Sequence, residues 1–204
     1  MIGKALETLF IKIWVIVKLN LFFWLFSCCG LIVAGVGPAL KTVNDLFVSH
    51  EFNYKDITLK EGWHYFKQNF VRGNLLFYGT VLLLAALAYN LFLSVQIQGL
   101  LFLAIDFLLV FAMIYGLVTF QYGLLLDSYY EIGLKNLLKL AFISTLSNFM
   151  NLLKIAIGVS LILFITWKFK GLILFGTFSM MQIWSYTATK AWRQTIDQRL
   201  GLHA

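Results

Sequence analysis

The sequence predicts an all-α, polytopic membrane helix bundle of about five transmembrane helices joined by amphipathic interfacial helices. Two observations carry this. Of the 204 residues, 61% are hydrophobic and 12% charged, whereas a water-soluble domain has roughly half its residues apolar and about a quarter charged. That leaves too little charge to coat a water-facing surface, and mean hydropathy is +0.85. The apolar residues also gather in runs near the ~20 residues that cross a hydrocarbon layer. Spans are expected at about 11–36, 74–95, 101–126, 152–168 and 172–189. One integral membrane domain over residues 1–204 is expected, because a single proline and no proline-rich linker offer no point of division.

The first run contains WVIVKLNLFFWLFSCCGLIVAGVGPAL at residues 14–40. Lys4 and Lys12 precede it, as in a signal peptide, but the apolar part at 13–36 far exceeds the ~7–15 residues of a signal core. A retained span is therefore expected. Cys28 and Cys29 are adjacent, which fits neither a disulfide framework nor a zinc pattern, and they read as small apolar fillers. A helix break follows at Gly35, Gly37 and Pro38. The glycines weaken the helix, and proline lacks the N–H that continuation needs but suits the first turn of a new helix.

Residues 38–73 form the long polar connection, expected to be cytoplasmic and amphipathic. TLKE at 58–61 matches a capping box, in which Thr58 accepts from the Glu61 N–H and the Glu61 carboxylate reaches back. In the helix that follows, Leu59, Trp63, Phe66 and Phe70 share a side flanked by Lys60 and Lys67. That face either lies in the headgroup layer or against a partner, with the lysine stems snorkelling, or it packs on the bundle as core. His50 and His64, with no cysteine partner, make no metal pattern. SVQIQG at 94–99 reads as a tight turn closing a helical hairpin. Farther on, Asn136, Lys139, Ser147, Asn151 and Lys154 form a loose polar stripe, expected on one helix running along the interface before the fourth span.

With five spans, Lys41, Lys55, Lys60, Lys67, Arg72, Lys135, Lys139, Lys190, Arg193 and Arg199 share one side, against Lys4, Lys12, Lys168 and Lys170 on the other. The excess places the N-terminus outside and the C-terminus in the cytoplasm; an even number of spans would put both ends inside. Within the spans, Lys18 and Asp106 stand at similar depth. They either pair, because an isolated ion in hydrocarbon is costly, or snorkel separately. Asn20, Asn90, Gln121 and Gln182 either knit helices together or line a path.

There is no glycine-rich phosphate loop, HExxH or G-x-S-x-G, so no enzyme, catalytic residue, metal ligand or cofactor is expected. The net charge of +7 is scattered along the chain, which argues against nucleic acid and for a lipid bilayer as partner. NLFFWLFS from Asn20, GPAL at 37–40 and GWHYFKQNF at 62–70, followed by the hairpin, together resemble the YesL-like family of bacterial integral membrane proteins. The resemblance implies a multi-pass protein of the bacterial cell membrane with no assigned reaction, associated with carbohydrate uptake. The expectation is then an accessory or regulatory component docked on a carbohydrate ABC transporter or a membrane sensor. The alternatives are a small carrier acting as a homo-oligomer, with Lys18, Asn20 and Asp106 on its pathway, and a structural scaffold.

Overall fold

In lipid every backbone polar group must find its partner inside the protein, so long apolar runs fold as helices. The computed structural model describes residues 2–130 and 132–194, and among them there are helices and no strands. In order these are α1 (Ile2–Cys29), α2 (Val36–His50), α3 (Leu59–Gln68), α4 (Phe70–Ser94), α5 (Leu100–Tyr129), α6 (Leu134–Ser147), α7 (Phe149–Lys168), α8 (Leu172–Phe175) and α9 (Thr177–Ala188). Four helices, α1, α4, α5 and α7, are long and apolar enough to cross a membrane. The expected fifth span at 172–189 is instead divided at Gly176 into α8 and α9, and neither piece reaches the ~17 residues a crossing needs.

The long connection departs most from expectation. Rather than lying on a surface, α2 is the central helix: every residue from Gly37 to Phe47 is buried, with α1, α3, α4, α5 and α9 packed around it. Val43, Leu46 and Phe47 meet a core shared with Leu19, Phe23 and Phe26 of α1 and Leu124 and Leu126 of α5. Between lipid-solvated helices such contacts stabilise through close packing more than through expulsion of water.

The chain breaks over residues 30–35, where Leu31 and Ile32 have φ of 55° and 62°, a left-handed geometry uncommon for any non-glycine residue and rarer still for β-branched isoleucine. Gly35 folds straight back onto α1, since a Cβ there would lie 2.3 Å from the Ser27 carbonyl oxygen. Pro38 sits in the first turn of α2. Gly37 lies inside α2 and serves packing: its Cβ would lie 2.6 Å from the Gly73 carbonyl oxygen, and one on Gly73 would lie 2.7 Å from the Pro38 Cα. The backbones of α2 and α4 therefore touch, the close approach that small residues permit in membrane bundles.

Side-chain contacts set the register. The Lys12 ammonium stands 5.3 Å from the Phe52 ring centroid, and Lys18 Nζ donates to the Tyr54 carbonyl at 2.9 Å, so α2 returns antiparallel to α1. Asn69 meets Asp45 while Tyr78 donates to the Val33 carbonyl, so α4 runs antiparallel to α2. One end of the bundle thus gathers the N-terminal half of α1, the connection at 51–58 and, through the Tyr186–Glu51 hydrogen bond, the chain around 186. The opposite end carries residues 30–35. Lys12 and Lys55 consequently share an end, where the five-span scheme separated them. Arg199 and His203 lie outside the described residues.

Beyond Tyr78, α4 continues beside α5 as the expected hairpin, turning at Gly99 (φ 151°). Both helices show their apolar residues outward, from Leu82 and Phe92 to Leu101 and Phe107. The polar stripe at 136–154 falls on two helices instead of one. Asn148 ends α6 and its side chain accepts from the Asn151 N–H to cap α7, as asparagine does at helix starts; Asn151 is buried while Asn136, Lys139, Ser147 and Lys154 are exposed.

The backbone contact gives a test. Gly73→Ala is expected to destabilise the chain by about 1–3 kcal/mol, because backbone cannot yield to the added methyl. Gly79→Ala on the same helix meets nothing within 4 Å and should be neutral or stabilising by up to about 1 kcal/mol. Thermal unfolding in detergent compares them.

Candidate functional site

The polar side of α2 is the most concentrated chemistry in the described structure. Lys41 and Asp45 are one helical turn apart, with Lys41 Nζ 3.1 Å from Asp45 Oδ1 and 3.1 Å from Asp127 Oδ2 of α5. Arg72 of α4 pairs with the other oxygen of Asp127 and donates to the Ile132 carbonyl. Asp45 also accepts from Asn69 and Ser128, and Asn44 donates to the Leu124 carbonyl at 3.0 Å and to the Ser128 hydroxyl at 2.7 Å. Two cations thus face two carboxylates. Lys41 is 4% exposed and the Asp127 side chain 2%, so each charge depends on its partners for what water would otherwise supply.

The sequence reading missed this network. Lys41 and Arg72 counted there as charges of a solvated connection. The available signal was the i, i+4 spacing of Lys41 and Asp45 directly after the proline. The same spacing describes an exposed surface pair, and only Asp127, far along the chain, makes burial tolerable.

A second polar knot surrounds the break between α8 and α9. The first N–H groups of a helix lack intrahelical acceptors, and Asn20 supplies them from another helix. Its Oδ1 accepts from the Phe178 N–H at 2.9 Å and the Ser179 N–H at 3.2 Å, while its Nδ2 donates to the Ile173 and Leu174 carbonyls at 2.9 and 2.7 Å. Trp24 Nε1 also donates to Ile173 at 2.9 Å, the Ser179 hydroxyl to the Ile16 carbonyl at 2.8 Å, and the Thr166 and Thr177 hydroxyls stand 2.9 Å apart. Asn20 therefore acts as a helix cap delivered across the bundle, which is why a break at Gly176 is sustainable in an apolar setting.

Lys18 and Asp106 do not form the expected pair. Lys18 uses the Tyr54 carbonyl, and Asp106, near the start of α5, keeps Oδ1 buried without a hydrogen-bond partner among the described residues. The return of α2 beside α1 brought a backbone carbonyl to Lys18 that spacing along the sequence did not reveal. Asn90 knits nothing: its amide returns to the Ala86 carbonyl of its own helix at 2.8 Å. Gln121 and Gln182 are both buried, in α5 and α9.

The aromatic side of α3 divides. Phe66 is buried and stacks on Phe26, with ring centroids 5.4 Å apart, and on Trp63, at 5.6 Å. Leu59, Trp63 and Phe70 are 50%, 41% and 39% exposed, and Lys67 lies over the Trp63 ring. An open hollow of about 460 Å³ is lined by Leu25, Phe26, Leu59, Lys60 and Trp63. Half of the capping box forms, the Glu61 N–H donating to Thr58 Oγ1 at 3.3 Å. The Glu61 carboxylate is drawn instead to His50 Nε2, 2.8 and 2.9 Å from its two oxygens. No group of three or more metal-ligating side chains occurs among the described residues.

Residues 16–91 match the family described as "Protein of unknown function, DUF624". That stretch holds the second half of α1, all of α2 and α3 and most of α4, and so carries Asn20, Lys41, Asp45, Arg72 and the α3 face. No curated protein and no solved structure matches the chain.

Two stability measurements separate these sites. Asp127→Leu leaves buried Lys41 with Asp45 as its remaining carboxylate and partly exposed Arg72 with none among the described residues, and is expected to cost about 3–5 kcal/mol, whereas the double variant Asp127→Leu with Lys41→Met should cost clearly less than the sum of the single changes. Asn20→Leu orphans the α9 N–H groups and should cost about 2–4 kcal/mol, while Asn90→Leu should leave unfolding in detergent unchanged.

Proposed function

We propose that the chain is a non-catalytic accessory component of a bacterial carbohydrate uptake system, docking on the membrane part of a transporter or sensor through α3. The observation that supports docking is the divided aromatic face. Phe66 anchors α3 rigidly to α1, while Leu59, Lys60, Trp63 and Phe70 project outward. Exposed aromatics held by a packed neighbour suit recognition, because little side-chain freedom is lost on binding. The link to carbohydrate uptake rests on the YesL-like resemblance of residues 20–70.

A carrier acting as a homo-oligomer is the second reading, favoured by the broken helix α8–α9, since discontinuous helices commonly build transporter sites. The engagement of Asn20 on both sides of that break by backbone groups weighs toward a structural role. For orientation, the shared end of Lys12, Lys55 and the chain around 186 supports an arrangement in which this basic end faces the cytoplasm, with residues 30–35 on the far side.

Reconstitution of the pure chain in liposomes should give no saturable flux across a panel of sugars; flux would overturn the accessory reading. Trp63→Ala with Leu59→Ala should release a co-purifying carbohydrate transporter without lowering the amount of chain in the membrane. With Cys28 and Cys29 replaced by serine, an impermeant maleimide applied to intact cells should label Leu31→Cys and spare Lys55→Cys.

A further inference from the structure

An apolar groove of about 460 Å³ runs between α4, α5 and α6, walled by Leu75, Leu83, Tyr115, Phe120, Leu138 and Phe142. Glycines create much of its space: a Cβ on Gly79 or Gly123 would meet nothing within 4 Å. The polar atoms of the wall are already spent, with the Tyr115 hydroxyl on the Phe142 carbonyl at 2.6 Å, the Thr80 hydroxyl on the Leu76 carbonyl at 2.9 Å and Thr119 on Thr145 at 3.3 Å. What remains open is hydrocarbon-like, within the ~300–1,000 Å³ range of ligand pockets. Because α4 and α5 are both candidate membrane spans, the apolar chains surrounding the groove are those of lipids.

The groove ends at a polar mouth. A second open pocket, lined among others by Lys41, Asn69, Arg72, Asp127 and Gly133, lies where α4 begins, α5 ends and α6 starts, one turn from Leu75 and next to Leu134 of the groove. Arg72 has its Nη2 on Asp127 and the Ile132 carbonyl and its Nε buried, but the side chain is still 35% exposed and guanidinium offers five N–H donors. Lys135 and Lys139 follow, exposed, on α6. Lys41, Arg72, Lys135 and Lys139 narrowly outnumber Asp45, Asp127 and the sequence neighbour Glu131.

The geometry points to a built phospholipid site, with one acyl chain in the α4–α5–α6 groove and an anionic headgroup at the mouth beside Arg72 and Lys135. The groove supplies shape without hydrogen bonds, and the mouth supplies donors and a small excess of positive charge. Together they match a molecule that is hydrocarbon along its length and anionic at one end.

Native mass spectrometry of the detergent-solubilised full chain, titrated with dioleoyl-phosphatidylglycerol and separately with dioleoyl-phosphatidylcholine, tests this. The anionic lipid should saturate at about one molecule per chain and bind about tenfold more tightly than the zwitterionic one. Gly79→Leu and Gly123→Leu fill the groove and should each weaken it about tenfold at unchanged helix content, Lys135→Gln should bring it toward the phosphatidylcholine level, and Gly171→Leu, which also meets open space, should bind like the parent. Two groove variants guard against one failing to fold. Parent-like binding by both overturns the proposal, as does equal affinity for the two lipids. A change in oligomeric state with lipid binding intact would assign the groove to a second copy of the chain and likewise overturn it.

Discussion

Charge neutrality along α2 is the constraint on which the rest of the architecture depends. A helix of 15 residues carrying Lys41, Asn44 and Asp45 stands at the centre of a bundle whose outer helices are apolar. Removing such ions from water costs several kcal/mol each unless opposite charges and donors replace the solvent. Asp127 of α5 does this for Lys41, Asn69 and Ser128 do it for Asp45, and Arg72 of α4 offsets the charge that Asp127 brings. Their geometry in turn fixes where α4 and α5 can sit. The Gly37–Gly73 contact holds α4 close enough for Arg72 to reach, so backbone packing and ion pairing specify the same arrangement and reinforce each other.

The same rule, applied to backbone instead of charge, explains the end of the chain. A span interrupted at Gly176 exposes N–H and carbonyl groups that lipid cannot satisfy. One asparagine amide has two donors and two acceptor positions, and Asn20 uses all of them on the two sides of the break. Interior polar residues in this protein act first as replacements for water. Lys18 behaves alike: its charge is met by a backbone carbonyl of the returning chain, and Asp106 was never required for it.

The fold class, the hairpin and the four long spans were legible because hydrocarbon thickness acts on local composition, which a single stretch displays. The burial of α2 was not. Its sequence, GPALKTVNDLF, alternates apolar and polar residues as a surface helix does, and the deciding partners Arg72 and Asp127 are remote in sequence. The fifth span failed for a related reason: its composition suits a crossing, and the interruption depends on a cap 158 and 159 residues away from the N–H groups it accepts from. Asn20 stands out in the sequence as a polar residue inside an apolar run, although spacing cannot tell a cap from a pathway. The capping box was half legible, since Thr58 acts locally whereas Glu61 is claimed by His50 from the preceding helix.

The charges around Lys41 are balanced and the α8–α9 break is capped by Asn20, so these interior groups are already engaged within the protein, and the docking proposed above turns on the surface. There the chain is unevenly built. The α4–α5 hairpin presents aliphatic residues suited to lipid, and its Thr80, Asn90 and Gln96 side chains are turned onto its own backbone. Around α3, by contrast, aromatic rings are stacked in series from Phe26 through Phe66 to Trp63, beside Lys60 and Lys67. Lipid needs no such order from its protein neighbour. A rigid ladder that begins in the core and ends in an exposed indole transmits the position of α1 to the surface, which is the property a docking face requires and a merely solvated one does not.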